Sequence, residues 1–289
     1  MARRRGLALL LAAALLLAGC GKKGFPATVQ GVTISGAPKR VAVLSEHLAE
    51  AAVGMGYGGQ IAGVCDGSRL PGLEDAQPVG TALLPDGAAI AELKADLVLS
   101  TQPLPEGTVD CPVVVLAAPT TLEGLSGFYR DIAACFAGER AEEGRLFAAD
   151  AESWVAALDE KIGDADRPSF AVLCDPRGYL AGTGTLEADL FGRLLGENTA
   201  AAAEGYATLE GMAEPEVLFC TDALTLEELQ RLPGFAEMAC VQEGRVVFLQ
   251  MAPFERCSSA LFLQLIPAVT AQYPQVFGGW DGGQGQAYS

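Results

Sequence analysis

Histidine is almost absent from this chain: His47 is the only one among 289 residues. Zinc and manganese sites draw on several imidazoles or an equivalent cluster of donors, so the composition speaks against a carrier of bare divalent metal. Positive charge is scarce as well. Nineteen Lys and Arg face 36 Asp and Glu, for a formal charge of −17. A surface of that sign repels nucleic acid and anionic lipid. Two enzymatic signatures are missing. There is no G-x-S-x-G run to expose a serine nucleophile on a strand-to-helix turn, and no G-x-x-x-x-G-K-[ST] loop to cradle phosphates. A cysteine nucleophile would need His47 beside Cys65, and nothing in the sequence requires that. The chain reads as a non-enzyme with no cofactor of its own.

What is present begins at the N-terminus. Arg3, Arg4 and Arg5 precede an apolar run over residues 7–18, which leads into Leu17-Ala18-Gly19-Cys20. The run falls short of the roughly 20 apolar residues that span a bilayer, and its charged flank and small-residue end mark residues 1–19 as a signal peptide. The tetrad resembles the lipobox of bacterial lipoproteins. That resemblance implies lipid on Cys20 and attachment to the extracytoplasmic face of the cell membrane through the anchor alone, since several acyl chains hold a protein stably. Residues 20–37, rich in Gly, Lys, Pro and Thr, read as a flexible tether. Loss of the three arginines leaves 16 basic residues against 36 acidic ones, a charge of −20. Of eight cysteines, seven remain after Cys20, an odd number in no metal-binding spacing, and most read as small buried hydrophobes.

From residue 38 the pattern alternates. Apolar runs of strand length at 41–44, 61–65, 97–100 and 113–116 are separated by helical stretches at 46–57, 88–94 and 122–137. Continuous apolar runs between helices indicate parallel strands covered on both faces. Residues 139–162 carry Phe147, Ala151, Trp154, Val155, Leu158 and Ile162 at helical spacing with no turn signal after Gly144, so one long helix is expected there. The alternation then resumes, with strands at 170–174, 217–220 and 246–249 and helices at 186–195, 226–232 and 258–272. The expected architecture is α/β: two Rossmann-like lobes with parallel sheets, residues 38–138 and 167–276, joined by a rigid helix within 139–166 and followed by a loose tail at 277–289. Residues 90–100 and 209–219 echo each other as a short helix running into a strand.

Ligands of open α/β sheets sit beyond the carboxyl ends of the strands, and a gap between two lobes is a common binding place. The strand exits therefore supply the candidates. On the first lobe they are Ser45, Glu46, His47, Cys65, Asp66, Thr81, Thr101 and Gln102; on the second, Gly182, Thr183, Tyr206, Phe254 and Arg256. A neutral imidazole is a common metal ligand, so His47 could reach the metal of a chelate, or it could be an ordinary helix-start histidine. Arg256, with Arg69 and Arg177 as more distant candidates, has the fork that pairs with carboxylates, or it balances an acidic surface. Tyr206 and Phe254 could pack on a planar guest or fill the core.

The succession Pro38-Lys39-Arg40-Val41-Ala42-Val43-Leu44-Ser45, Gln60-Ile61-Ala62-Gly63-Val64-Cys65-Asp66, Pro78-Val79-Gly80 and Ile90 to Ser100 resembles the first lobe of the class III periplasmic binding proteins, which serve importers of ferric siderophores, haem and vitamin B12. Leu180-Ala181-Gly182-Thr183-Gly184 and Leu194-Leu195-Gly196-Glu197-Asn198 fit the second lobe. The resemblance covers about residues 38–275. It implies a monomeric lipoprotein that takes a metal chelate between its lobes and delivers it to the permease and ATPase subunits of an ABC importer. It also implies permease docking through one acid on each lobe, here Asp86 and Glu210, although the residue at the family's first-lobe position is Ala88. The same fold used as a surface lipoprotein for sensing or adhesion is the alternative.

Overall fold

A computed structural model describes residues 24–210 and 212–278. The signal peptide, Cys20 and most of the tail lie outside the described residues. The chain first forms an antiparallel hairpin of β1 (Ala27–Val29) and β2 (Val32–Ile34), so residues 27–34 are not free tether. The physical reason is the alternation that places Ala27, Val29 and Ile34 inward, at most 4 % exposed. Gln30 Nε2 donates to Asp131 Oδ2 at 2.7 Å and ties the turn to the body.

The first lobe is one five-stranded parallel sheet in the order β5-β4-β3-β6-β7, made of β3 (Val41–Val43), β4 (Ile61–Val64), β5 (Gln77–Pro78), β6 (Leu97–Ser100) and β7 (Val113–Val115). Its central strands β3 and β6 are buried on both faces, which is why they read as unbroken apolar runs. Val41, Val43, Leu97 and Leu99 face α1 (Glu46–Gly54), whereas Ala42, Leu44 and Val98 face α2 (Gly87–Glu92). Next comes α3 (Leu122–Ala137), where Thr121 accepts a hydrogen bond from the Gly124 N–H and satisfies one free donor of the first turn.

The long helix expected from the sequence is α4 (Glu142–Ile162), beginning three residues later than the apolar spacing suggested. Ala148, Ala151, Val155, Leu158 and Ile162 recur at intervals of three and four and are buried. The second sheet has the order β10-β9-β8-β11-β12. Here β8 (Phe170–Leu173), β11 (Val217–Thr221) and β12 (Val246–Leu249) are parallel, but β9 (Leu180–Ala181) and β10 (Tyr206–Ala207) run antiparallel at one edge, so this lobe is mixed rather than wholly parallel. Its helices are α5 (Leu186–Leu194), α6 (Leu226–Arg231), α7 (Ala239–Gln242), α8 (Ala252–Glu255), α9 (Leu261–Thr270) and α10 (Pro274–Phe277). Phe277, read as the start of a loose tail, is 5 % exposed and belongs to the body. Residues 209, 210 and 212 are not helical, so among the described residues the echo between the lobes is confined to the strand.

One apolar core runs through both lobes along α1, α3, α4, α5 and α9. Cross-lobe polar ties reinforce it. The Tyr129 hydroxyl donates to the Cys257 carbonyl at 2.9 Å inside that core, the Leu122 N–H donates to Asp189 Oδ2 at 2.8 Å, and Arg193 reaches Glu123 at 2.6 Å. The sheets stay separate while their backs share one apolar filling, which restricts the lobes to small relative motion.

Candidate functional site

The two sets of strand exits approach each other where α1 of the first lobe meets the end of α8. Arg256 Nη1 lies 3.3 Å from Glu50 Oε2, and Arg256 Nη2 lies 3.7 Å from Glu46 Oε1. The guanidinium expected to meet a ligand carboxylate is thus already bound to two carboxylates of the facing lobe. It borders a crevice of about 320 Å³ shared with Glu50, Leu70, Tyr129, Phe147 and Ser258.

The larger hollow belongs to the second lobe. A cavity of about 430 Å³ is lined by Cys174 and Asp175 at the exit of β8, Arg177 and Tyr179 in the turn before β9, Glu187 in the first turn of α5, Tyr206 of β10, and Glu255 of α8. Tyr206 is half exposed and presents its hydroxyl 3.5 Å from Glu187 Oε1. Glu187 is only 2 % exposed. Burial raises its carboxyl above the usual carboxylate range; its own backbone N–H opposes this, the charge of Glu255 adds to it, and the Tyr206 hydroxyl opposes it. Arg177 is held by Asp175, with Nε donating to Oδ2 at 2.8 Å, and its guanidinium stacks over the Tyr179 ring at 5.2 Å.

The remaining sequence candidates divide by what they touch. Ser45 Oγ lies 3.0 Å from His47 Nδ1, and the ring packs against Phe128 at 6.3 Å. Desolvation lowers the His47 pKa against an opposing pull from Glu46, favouring neutral imidazole. Its Nε2 is buried with no hydrogen-bond partner among the described residues, and with Nδ1–H donating to Ser45 it would carry the lone pair. Asp66 Oδ1 accepts from the Gly80 N–H at 2.9 Å, Thr81 Oγ1 accepts from Leu84, and Gln102 bonds through its backbone to Ser100, while Thr101 beside it is part-exposed; these shape the first-lobe loops. Cys65 is buried.

Two second-lobe candidates are structural. Gly182 donates to the Gly205 carbonyl, and a Cβ there would stand 2.4 Å from Ala203 O, so the close approach of two backbones requires glycine. Thr183 Oγ1 donates to Ala201 O in the same seam. Phe254 faces away from any guest: it is 2 % exposed and stacks on Phe191 with centroids 6.1 Å apart. The strand exit predicted around it is the helix α8, which turns the ring into the core.

Glu187, Cys174, Asp175 and Tyr179 line the cavity although the sequence reading had not singled them out. For Glu187 a signal existed. It falls three and four residues before Leu190 and Phe191, placing a carboxylate on the buried stripe of α5. Among the described residues, no three His, Cys, Asp or Glu side chains are grouped so as to hold a metal ion. No helix among them is long and apolar enough to cross a membrane.

No protein-family profile matches the chain. An uncharacterised ABC transporter substrate-binding lipoprotein of Bacillus subtilis is 24 % identical over 313 aligned positions, covering 96 % of this chain and 99 % of the relative. A molybdate periplasmic binding protein of Haemophilus influenzae superposes with a TM-score of 0.71 at 20 % identity, covering 87 % of this chain and 91 % of that one. A periplasmic haem-binding protein of Roseiflexus gives 0.65 at 20 % identity, covering 83 % and 100 %. The vitamin B12-binding protein of Vibrio cholerae gives 0.64 at 17 % identity, covering 81 % and 96 %. These are binding proteins rather than enzymes, and they are the kind whose motifs the sequence resembles. Two separate sheets, backed by one helical core and open at their strand exits, give this chain the fold of the two-lobed periplasmic binding proteins.

Proposed function

We propose that this chain is the solute receptor of an ABC importer, anchored by lipid on Cys20, and that it captures a metal chelate such as a ferric siderophore, haem or a corrinoid between its lobes. The observation that carries the reading is the pair of strand-exit walls that meet at Glu46, Glu50 and Arg256 while a shared helical core holds their backs. A receptor of this build closes slightly on its guest and does no chemistry; permease and ATPase subunits do the work. The relatives support a solute-binding role, and their names range over haem, vitamin B12 and molybdate.

Docking is assigned to the lobe rims. On the first, Asp86 caps α2 by accepting from the Ala89 N–H, and Leu83 and Leu84 beside it are 79 % and 80 % exposed, so an acid and two apolar side chains are offered together. Glu210 is the corresponding exposed acid of the second.

Calorimetric titration with haem, cobalamin and a set of ferric siderophores tests the receptor. One chelate class is expected to bind with a Kd at or below the micromolar range, about −8 kcal/mol. Binding of a sugar or peptide with no response to any chelate would refute the chelate assignment. For the anchor, Cys20→Ser is expected to move the protein from the membrane fraction to the soluble one and to abolish acyl labelling. Unchanged retention of the variant would refute lipid attachment at that residue.

A further inference from the structure

The second-lobe cavity has a chemical sign. Among the described residues three carboxylates line it, from Asp175, Glu187 and Glu255, against one guanidinium, Arg177, which is already engaged by Asp175. Arg256, next along the chain from Glu255, does not line it and is held by Glu46 and Glu50. Arg69 sits in an exposed loop of the first lobe and does not line the cavity. Glu187 is the informative member. It is 98 % buried and opens on the cavity; among the described residues no cation pairs with it, and its carboxyl is met only by its own backbone N–H and by the Tyr206 hydroxyl at the 3.5 Å limit of a hydrogen bond. A buried carboxyl so weakly partnered costs stability unless something satisfies it. Because its folded pKa lies above the unfolded value, that cost grows as pH rises through the unfolded pKa and continues to the folded one.

The geometry points to Glu187, with Glu255 and the Tyr206 hydroxyl, as a subsite for the hydrogen-bond-donating periphery of the cargo: an ammonium or primary-amide group on a neutral or cationic chelate. A chelate rimmed with free carboxylates or catecholate charge would meet a wall rich in carboxyl groups whose one guanidinium among the described residues, Arg177, is already held by Asp175. This rests on the receptor reading and narrows it. Glu187 then acts as a specificity residue, contacting the guest without reacting with it.

The test uses the full chain in detergent and matched probes in which a hydrogen-bond-donating group is replaced by a carboxylate. One pair is ferrioxamine B, a ferric trihydroxamate with a free ammonium, and its succinylated carboxylate derivative. The other is cyanocobalamin, which carries peripheral amides, and its side-chain carboxylate hydrolysis products. In whichever pair binds, the donor-bearing member is expected to bind about tenfold more tightly, the effect of one charge-assisted hydrogen bond. Glu187→Gln should reduce that ratio severalfold, while Glu152→Gln, an exposed acid of α4, leaves it unchanged. Equal or tighter binding of the carboxylate member, or a ratio indifferent to Glu187→Gln, would overturn the subsite and leave the receptor function standing. If neither pair binds, the chelate reading is in difficulty and the subsite is judged on agmatine against 4-guanidinobutyrate. Agmatine should then raise the Tm of the wild type more than that of Glu187→Gln, and the lack of any such difference overturns the subsite too.

Discussion

Replacing Gly144 with alanine is expected to destabilise the protein by about 1–3 kcal/mol, although the same change in an open helical position would help. A Cβ at Gly144 would stand 2.6 Å from Ala133 Cβ, 2.7 Å from the Tyr129 carbonyl oxygen and 3.0 Å from Arg130 Cα. Two of these are backbone atoms of α3, so no rotamer change relieves the clash and the helices must separate. The harm would spread, because α3 also carries the Tyr129 hydroxyl that bonds across the lobes to Cys257. Gly127, on α3 itself, is the control: nothing lies within 4 Å of its added Cβ, so Gly127→Ala should stabilise by up to about 1 kcal/mol through helix propensity. Denaturant unfolding of the two variants reads both signs. Equal midpoints for Gly144→Ala and wild type would mean that the spine is not packed as closely as described.

Phe254→Ala is expected to cost about 3–5 kcal/mol, the usual range for a phenylalanine removed from a core. The ring is 2 % exposed and forms a stack with Phe191, which in turn meets Phe219 at 4.4 Å and Phe170 at 6.0 Å, so its loss opens a hole in the middle of the second lobe. Tyr206→Ala provides the contrast. Tyr206 is 54 % exposed on an edge strand, and its truncation should change stability by under about 1 kcal/mol while weakening ligand capture. A Phe254 variant that unfolds at the wild-type midpoint yet loses ligand would return this ring to the binding surface.

The difference between these two aromatics shows where reading the chain succeeded and where it ran out. Val41 to Leu44 and Leu97 to Ser100 could be recognised as strands because a parallel strand buried on both faces leaves an unbroken apolar run, which few other settings produce. The spine was equally legible, since Ala151, Val155, Leu158 and Ile162 repeat at helical spacing and are buried, although Trp154, read on the same stripe, is 43 % exposed and Ala148 takes the inward place expected of Phe147. The hairpin at residues 27–34 was missed because strands of three residues among Gly, Thr and Pro carry too little pattern, and only docking against α3 orders them. The edge strands β9 and β10 have two residues each and pair across a gap from Ala181 to Tyr206, which no local window spans.

The candidate site was legible by address more than by chemistry. Strand exits named Tyr206, which lines the second-lobe cavity, and Glu46, which meets Arg256 across the lobes, yet the same rule placed Phe254 and Gly182 at the surface, where the structure has a core ring and a backbone seam. Whether a side chain at a strand exit turns inward or outward depends on one residue of register, and for Phe254 on a helical turn where a strand end was expected.

By itself the sequence determined an acidic, two-lobed α/β chain with a helical spine, because those properties follow from composition and from periodicities that neighbouring residues share. Only the tertiary structure decided which charges meet. Arg256 found two glutamates of the other lobe, and Glu187 was buried at the cavity wall beside Tyr206 with no cation paired to it among the described residues. Both outcomes depend on bringing together segments far apart along the chain, where burial, and not residue type, sets the cost of a charge.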